Sequence, residues 1–568
     1  MSFSSVYRVL SATLRALGGA SLALCLVACG PEPTTPPSED AFGRALDPLF
    51  EPWNRDDAPG VAVVILQDGK PLYRRGFGLA SLEAETPITP DGTAFELNSV
   101  SKQMTAYAVH LLAHRGLLDL DADVRVHLPD LPDFGHEITA RQLMFHTSGL
   151  REYLDLAPLH GLSSGRSPDE LTQASVMSWL QDQQELNFEP GTENQYNNTG
   201  YSVLAQLVAT VSGRSFRDFM RQEIFVPLGM LDTRVRSFGA DGEQLATESY
   251  GQRQGPARIL GRWQRVGAPW QTWGGGGVAS TMDDLARWTE HLRLADANPE
   301  VVSALLERGT LNDGRPFDYA SGIRWMERWG VSMFGHGGSG MAFRSWAIFV
   351  PDHDLTIVFS GNGYPGIVGL QPKLVEAVFE QLGIGEAPVP APASDDLQSW
   401  VGHYADEILR GRLFLEDGEL VYHSTANHVA VTPRVDDTFY IRDTRIHGER
   451  GPDGNVEALR FFVGAQEVRM ARYQPKGVSP GEIQAYVGSY YSPELDLTVS
   501  VEESSEGLEL NLPAGSFSFE PAHSGRFFVV EGRSAGLKFI YDKSAAVKGL
   551  RLNIGRSHNI RMERVDGD

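Results

Sequence analysis

Ser99 and Lys102 form a Ser-x-x-Lys pattern at the start of a stretch with helical periodicity. Apolar residues recur at helical spacing from Val100 until Gly116 ends the run. The pattern predicts that Ser99 lies at a helix N-terminus, with Lys102 one turn later on the same face. A neutral amine there can accept the serine proton, and the free N–H groups of the helix start favour an oxyanion. Only one of the seven lysines has a serine three residues before it, although an ordinary exposed helix pair has the same spacing.

Tyr196-Asn197-Asn198 is a second candidate motif, which follows a Pro-Gly-Thr turn and precedes a helix-like run. No other tyrosine in the chain has an asparagine two places on. We expect the Tyr196 phenol to relay or accept protons and the Asn198 amide to hold a substrate carbonyl. The alternative is a turn that starts a helix, with the tyrosine packed beneath it.

His336-Gly337-Gly338 is a third candidate motif, next to the strand-like residues 343–350. Its glycines would let a substrate backbone lie against an edge strand. A histidine followed two places on by glycine also occurs at two other positions. This motif is therefore informative only because it follows the other two motifs and lies next to a strand-like segment.

The elements around these motifs change in type along residues 42–386. Strand-like segments come first, a helix-rich middle follows, and strand-like segments return before a closing helix. Strands at both ends predict that the ends pair in one antiparallel sheet of an α+β domain. The strand-like segments are residues 60–67, 72–78, 332–333, 343–350 and 355–360, the helix-rich middle is 99–292, and the closing helix is 370–382.

The chain after residue 386 has a different composition. Residues 387–396 are rich in proline and alanine and predict a stiff linker. Short strand-like segments follow, and Leu397–Tyr404 returns in similar form as Ile483–Tyr490. The repeat predicts two small all-β, barrel-like domains, at residues 397–478 and 479–568.

The N-terminal residues have the features of an export signal. Two arginines precede the apolar run 20–28, which is too short to span a bilayer, so we expect residues 1–28 to be a signal peptide. The Leu-Val-Ala-Cys sequence that ends at Cys29 resembles a bacterial lipobox, which predicts a lipid anchor at Cys29 and a tether over 29–41. The expected location is the cell envelope, at the outer membrane facing the periplasm or the cell surface. The alternative is an unmodified signal peptide cut near Ala28.

Composition excludes several classes of function. The formal net charge of -24 repels polyanions, so nucleic acid is not an expected partner, and the sequence identifies no protein partner. Both cysteines lie at or before Cys29, so the mature body has no disulfide, thiolate metal site or cysteine nucleophile. His110 and His114 share a helix face without a third ligand, and we expect neither a metal nor a cofactor.

The three motifs, in this order, resemble those of class C β-lactamases, penicillin-binding proteins and their relatives. These relatives include D-alanyl-D-alanine carboxypeptidases, D-aminopeptidases and esterases. The stretches His146–Leu150 and Gly274–Leu285 are similar to the family as well. The resemblance implies a β-lactamase/transpeptidase-like domain at 42–386, with an antiparallel sheet, flanking helices and a helical subdomain. The two barrel-like domains that follow resemble the architecture of D-aminopeptidases.

The resemblance implies a role for each catalytic candidate. Ser99 would be the acylated nucleophile, Lys102 its base or proton relay, and Tyr196 the partner in acylation and deacylation. The backbone N–H groups of Ser99 and Ser339 would form the oxyanion hole, and His146 would be structural. Because a free lysine titrates near ~10.4, we expect Lys102 to be desolvated. We also expect it to lie within about 6 Å of both Ser99 and Tyr196.

The resemblance also implies that Asn198, His336, Gly337 and Gly338 bind substrate. Many β-lactamases and carboxypeptidases have a lysine where this chain has His336. A histidine with an ordinary pKa near ~6.5 is mostly neutral at neutral pH and anchors a substrate carboxylate less well. This departure favours the D-aminopeptidases, in which a loop from a barrel reaches the active site and narrows it to short peptides.

The sequence as a whole predicts a cofactor-free serine hydrolase that forms an acyl-enzyme on an amide or ester substrate. The favoured substrates are short peptides containing D-amino acids, cleaved in the manner of a D-aminopeptidase or D,D-carboxypeptidase. A small-ester esterase and a weak β-lactamase are the close alternatives. An alternative of another class is a non-catalytic sensor of peptidoglycan fragments, which need not retain Ser99, Lys102 and Tyr196 together.

Overall fold

The computed structural model describes most of the chain from residue 39 to residue 565. The gaps are residues 163–170, 237–246, 253–262, 267–269, 365–366, 390, 407–408, 425–426, 442–443, 464–465, 524 and 531–533. The expected signal peptide and Cys29 lie outside the described residues and stay predictions. None of the helices in the described ranges combines the length and the apolar composition that crossing a membrane requires.

The region that holds the three motifs mixes helices and strands. Its helices are α1 (Glu39–Phe50), α2 (Ser101–His114), α3 (Ala140–Met144), α4 (Tyr153–Leu156), α5 (Gln173–Asp182), α6 (Asn198–Ser212), α7 (Phe216–Met220), α8 (Met282–Leu294), α9 (Pro299–Leu306) and α10 (Leu370–Leu382). Its strands are β1 (Val61–Gln67), β2 (Lys70–Phe77), β3 (Leu79–Ser81), β4 (Thr86–Pro87), β5 (Phe95–Glu96), β6 (Leu171–Thr172), β7 (Arg234–Val235), β8 (Ser249–Gln252), β9 (Trp263–Val266), β10 (Trp270–Gln271), β11 (Val278–Ser280), β12 (Arg324–Arg328), β13 (Val331–Gly340), β14 (Phe343–Val350), β15 (Leu355–Gly361) and β16 (Gly363–Tyr364).

A six-stranded antiparallel sheet organises this region, in the order β12-β13-β14-β15-β1-β2. The predicted α+β class is confirmed, and the two ends of the region meet because β1 pairs with β15. Side chains of β1 alternate between two cores, as the two-residue period of a strand requires. Ala62 and Val64 belong to the core shared with the helical layer, whereas Val61, Val63 and Ile65 belong to the core shared with α1 and α10.

Helix α2 runs through the helical layer and is buried from Ser101 to Leu112. It packs against α6 and α9, so it has no solvent-facing stripe over these residues. Polar side chains in its first turn are therefore enclosed by protein. Lys102 is one of them, and its desolvation follows from the position of this helix.

The rest of the chain forms two eight-stranded β units, in agreement with the predicted architecture. The first unit contains β17 (Gly402–Ala405), β18 (Arg410–Glu416), β19 (Glu419–Ser424), β20 (His428–Val431), β21 (Thr438–Ile441), β22 (Thr444–Arg450), β23 (Val456–Val463) and β24 (Gln466–Tyr473). The second unit follows α11 (Pro480–Ile483) and contains β25 (Gly488–Ser492), β26 (Leu497–Ser504), β27 (Gly507–Leu512), β28 (Gly515–His523), β29 (Arg526–Val529), β30 (Ala535–Tyr541), β31 (Val547–Ile554) and β32 (Ser557–Val565). The second unit closes into a barrel, whereas the first stays open between β20 and β21.

The proline-rich linker is attached to the first β unit. The Ser394 N–H donates to the Pro433 carbonyl at 2.8 Å, and the Val435 N–H donates to the Pro392 carbonyl at 3.0 Å. Ala393 and Arg434 form a β-bridge. The linker therefore lies beside the gap in the first unit, a contact that its composition did not predict.

The second barrel shares a buried interface with the region that holds the three motifs, which is called the catalytic region below. Leu156 and Leu159 belong to the apolar core of this barrel. Arg151 is fully buried and forms a two-pronged ion pair with Glu494 of the barrel, which is 4% exposed. A buried arginine needs such a partner because an unpaired charge in a dry interior is very costly. The interface therefore depends on this ion pair.

The substitution Glu494→Ala is expected to lower the free energy of unfolding by about 3–5 kcal/mol, because it leaves the Arg151 charge buried without its carboxylate. Denaturant unfolding followed by intrinsic fluorescence measures the change. The matched control is Glu563→Ala on the same barrel, where the ion pair with Arg561 is largely exposed and its loss should change stability little. Equal losses in the two variants would contradict the prediction.

Candidate active site

Ser99 lies on a short 3₁₀ turn, Asn98–Val100, that leads directly into α2. Asn98 has φ of +50°, a left-handed conformation that asparagine tolerates better than most residues. Two glycines of β13 leave room for this turn because they lack a Cβ. A Cβ at Gly338 would overlap the Leu97 carbonyl oxygen, and a Cβ at Gly340 would overlap the Asn98 side chain. The glycines therefore allow the turn that bears Ser99 to pack directly on β13.

The Lys102 amine is completely buried and contacts three polar atoms. Its Nζ lies 3.2 Å from Ser99 Oγ, 2.6 Å from Asn198 Oδ1 and 2.8 Å from the Gly275 carbonyl oxygen. A neutral amine has two N–H donors and one lone pair. It can therefore donate to the two carbonyl oxygens and accept a hydrogen bond from the Ser99 hydroxyl, which is the geometry that a general base needs.

Burial also makes the neutral form of Lys102 favourable. Desolvation is the largest cause and lowers the pKa of Lys102 from its ordinary value. Tyr196 and Glu152 oppose this shift, whereas the positive charge of Arg556 adds to it. No carboxylate lies within ion-pair distance of the amine among the described residues, so the protonated form lacks a direct counter-charge.

Tyr196 closes the other side of the Lys102 amine. Its ring centroid lies 4.8 Å from Lys102 Nζ. Its hydroxyl is buried and has no hydrogen-bond partner among the described residues. Buried hydroxyls nearly always have a partner, so an exception indicates an atom available to a ligand. Ser99, Lys102 and Tyr196 converge as the sequence predicts, and the catalytic role of each stays a prediction.

Asn198 begins α6 and connects Lys102 to a carboxylate that the motifs did not reveal. Its Nδ2 donates to Glu152 Oε1 at 3.1 Å, and its backbone N–H donates to Glu152 Oε2 at 2.6 Å. Glu152 is fully buried, and it fixes the amide with its oxygen toward Lys102. Both ends of the amide are bonded to protein, and Asn198 also lines the cavity beside Ser99, so its contact with substrate stays a prediction. The only sequence signal for Glu152 is its place two residues after the family-like stretch that ends at Leu150.

His336 is one end of a buried hydrogen-bond chain that also contains Tyr319 and His146. The Asn197 N–H donates to His146 Nδ1 at 3.1 Å, so the ring proton of His146 is on Nε2, 3.0 Å from the Tyr319 hydroxyl. Tyr319 can then donate to His336 Nε2 at 3.1 Å. His336 Nδ1–H donates in turn to the Gly337 carbonyl oxygen at 2.6 Å. The chain is complete when both histidines are neutral.

The neutral form of His336 limits what the third motif can bind. Burial, together with the charges of Arg324 and Lys102, lowers the pKa of His336 well below its ordinary value. The ring has neither a positive charge nor a free nitrogen for a substrate carboxylate. A Cβ at Gly337 would lie 2.7 Å from the Trp346 ring, so this glycine also has a packing role. Because β12 pairs with β13 only as far as Gly335, the chain beyond it has a local free edge.

A cavity of about 80 Å³ opens beside Ser99. Ser339, the second predicted oxyanion residue, lines it together with Gly276 and the ion pair between Glu96 and Arg236. No group of three His, Cys, Asp or Glu side chains in the described part of the chain is arranged to hold a metal ion. The cavity can accept a small organic group next to the nucleophile.

The second barrel contributes to the same site through the turn between β31 and β32. Arg556 on this turn places its guanidinium carbon 5.4 Å from the centroid of the Tyr196 ring. Its side chain is one-third exposed and lies 3.5 Å from Glu152 and 3.8 Å from Asp155. A barrel loop thus reaches the site, as the resemblance to D-aminopeptidases implied, and neither Arg556 nor Asp155 was identified from the sequence.

Comparison with known proteins agrees with this geometry. A protein-family model described as Beta-lactamase matches residues 46–375. A D-aminopeptidase of Gluconobacter oxydans is 29% identical over 57% of this chain, and this chain spans only 59% of that protein. A D-aminopeptidase of Brucella anthropi is 27% identical over 77% of this chain and 80% of its own length.

Two solved structures share the fold at lower identity. A penicillin-binding protein homologue from Pyrococcus abyssi covers 76% of this chain and 98% of its own, with a TM-score of 0.53 and 20% identity. The protein SurE covers 77% of this chain and 99% of its own, with a TM-score of 0.51 and 24% identity. These likenesses support the fold alone.

The rate at which a serine-reactive probe labels Ser99 is expected to stay high well below pH 10.5. The predicted base is the deprotonated Lys102 amine. Because burial lowers the pKa of Lys102, the rate should fall only as pH drops through that lowered value. Stopped-flow or gel-based labelling across pH 5–11 measures the midpoint.

The control variant is Lys102→Arg, which keeps a positive charge but cannot become neutral near neutral pH. Labelling of this variant should be about 10²–10⁴-fold slower. A wild-type midpoint at or above the ordinary lysine value would contradict the prediction, as would full activity of Lys102→Arg.

Proposed function

The chain belongs to the beta-lactamase family of serine hydrolases, and we propose that it hydrolyses amide bonds of short peptides that contain D-amino acids. The reaction proceeds through an acyl-enzyme on Ser99. The observation that carries the proposal is the buried Lys102 amine, whose Nζ lies within hydrogen-bond distance of two carbonyl oxygens and of Ser99 Oγ. In its neutral form the amine can donate to the two carbonyl oxygens and accept the proton of the Ser99 hydroxyl.

Acylation begins when Ser99 Oγ attacks the substrate carbonyl carbon and its proton moves to Lys102 Nζ. The carbonyl oxygen becomes an oxyanion, for which the backbone N–H groups of Ser99 and Ser339 are the proposed donors. The C–N bond then breaks, and the leaving amine receives a proton that Tyr196 relays from Lys102. The products of this half-reaction are a free amine and an ester on Ser99.

Deacylation repeats these steps with water as the nucleophile. A water molecule attacks the ester carbon, and its proton moves to the Tyr196–Lys102 pair. The bond between the carbonyl carbon and Ser99 Oγ then breaks, the carboxylic acid product leaves, and Lys102 returns the proton to Ser99 Oγ. The Tyr196 hydroxyl supports this role, since it has no partner of ordinary hydrogen-bond geometry in the described chain and lies close enough to Lys102 to raise the pKa of that amine.

The preference for D-peptides over β-lactams has two supports. The relatives from Gluconobacter oxydans and Brucella anthropi are both described as D-aminopeptidases. The neutral His336 removes the positive charge that the third motif offers a carboxylate in many β-lactamases. Turnover of uncharged small esters is the second candidate function, and the same neutral His336 favours it.

The substitution Ser99→Ala is expected to abolish covalent labelling and to reduce turnover by about 10³-fold or more. Hydrolysis of D-Ala-p-nitroanilide, L-Ala-p-nitroanilide, p-nitrophenyl acetate and nitrocefin by wild type and variant measures the effect. The proposal expects D-Ala-p-nitroanilide to give the highest kcat/KM. Highest kcat/KM on the acetate would favour the esterase, and labelling without turnover of any substrate would favour the sensor.

The substitution Gly276→Val is expected to narrow the acyl specificity. A Cβ at Gly276 would have its nearest neighbour 3.8 Å away, at Asn98, so the branch point of a valine has room at the wall of the cavity beside Ser99. The ratio of kcat/KM for acetyl over butyryl p-nitrophenyl esters should rise about tenfold or more. The control is Gly477→Val, at a position with open space around it and outside the cavity. An unchanged ratio in Gly276→Val would refute the assignment of the cavity to the acyl group.

A further inference from the structure

The turn between β31 and β32 is held against the catalytic region mainly by its backbone. The Arg556 N–H donates to Asp155 Oδ2 at 2.6 Å, and the Asn187 side chain donates to the Arg556 carbonyl oxygen at 2.7 Å. The Glu152 N–H donates to Ser557 Oγ at 3.1 Å. Gly555 precedes them with φ of +55°, and a Cβ there would overlap Asp155. None of these bonds uses the guanidinium of Arg556.

The Arg556 guanidinium is placed differently from a structural ion pair. Its shortest distances to carboxylate oxygens are 3.5 Å at Glu152 and 3.8 Å at Asp155, both longer than a charge-assisted hydrogen bond. The nearby Arg151 shows the structural alternative, since it is fully buried and bonds both oxygens of Glu494. Docking of the turn therefore does not explain why Arg556 extends to the Tyr196 ring.

We propose that Arg556 is a positioning residue of the active site, supplied by the second barrel, which keeps the Lys102 amine neutral and the Tyr196 ring in place. The proposal deepens the proposed function and depends on it. The guanidinium lies 5.4 Å from the centroid of the Tyr196 ring and 3.5 Å from the buried Glu152 carboxylate. It therefore counters the negative charge of Glu152, which would otherwise stabilise a protonated Lys102.

Charged and titratable groups face Lys102 and Tyr196 from every element packed around them. These groups are His146, Glu152, Tyr153, Asp155, Tyr201, Tyr319, Arg324, His336 and Arg556. Glu152 raises the pKa of Lys102, and Arg556 lowers it. Loss of the Arg556 charge alone leaves Glu152 uncompensated, so the pKa of Lys102 rises and less of the amine is neutral near pH 7.

The variant Arg556→Gln is expected to shift the acidic limb of the Ser99 labelling rate to higher pH by about one unit, with about tenfold slower labelling on that limb. Above the limb, the rates of variant and wild type should converge, because the amine is then neutral in both. The charge-conserving variant Arg556→Lys should recover most of the shift. Labelling across pH 5–11 and thermal unfolding are measured for each protein.

The matched control is Arg551→Gln on the same barrel. Within the described part of the chain, Arg551 pairs with Glu185 of the catalytic region and does not contact Tyr196, so its loss weakens the same interface without changing the site. Its pH profile should match that of wild type. An unshifted limb in Arg556→Gln, or an equal loss of rate at every pH, would overturn the inference. Wild type that is not labelled at Ser99 would overturn the proposed function first, and the inference with it.

Discussion

The site depends on one constraint, which is that the Lys102 amine is buried away from solvent. A lysine without water favours its neutral form, and only the neutral form has a lone pair for Ser99. The fold satisfies this constraint by running α2 through the helical layer, with Asn198 and the Gly275 carbonyl as the acceptors of the amine. The position of Ser99, the orientation of the Asn198 side chain and the packing of α2 all relate to this one requirement.

The second barrel is part of this environment and not an appendage. It supplies the carboxylate partner of the buried Arg151 and a guanidinium beside Tyr196. The first β unit differs from it, because its strands do not close into a barrel and the linker lies beside the gap between β20 and β21. Two repeats of similar sequence thus make different contacts with the rest of the chain.

Much of the fold could be predicted from the sequence because local signals are strong there. The closing helix was expected at 370–382 and is Leu370–Leu382, and the last strands lie close to their expected bounds. Hydrophobic patterns determine such elements locally. The motif residues Ser99, Lys102 and Tyr196 lie together as expected. One helical turn separates Ser99 from Lys102, and the resemblance of the three motifs to a known family implied that Tyr196 lies beside them.

The rest could not be predicted because it depends on contacts between distant segments. Glu152 and Arg556 are single charged residues without a local pattern, and only the tertiary fold brings them to Tyr196. The neutral state of His336 follows from its burial and from the charges of Arg324 and Lys102, and its ring is bonded to Tyr319, which lies in no motif. The gap in the first β unit likewise depends on pairing that composition does not encode.

The long separation within the site has a consequence for how the protein folds. Glu152 and Ser557, which bond each other beside the reactive serine, are 405 positions apart in the chain. Contacts of such separation form late, because a large loop must be closed before they contribute stability. The surroundings of Lys102 and Tyr196 are therefore completed only once the second barrel has been synthesised and has docked, because Arg556 and Ser557 lie near the C-terminal end of the described chain.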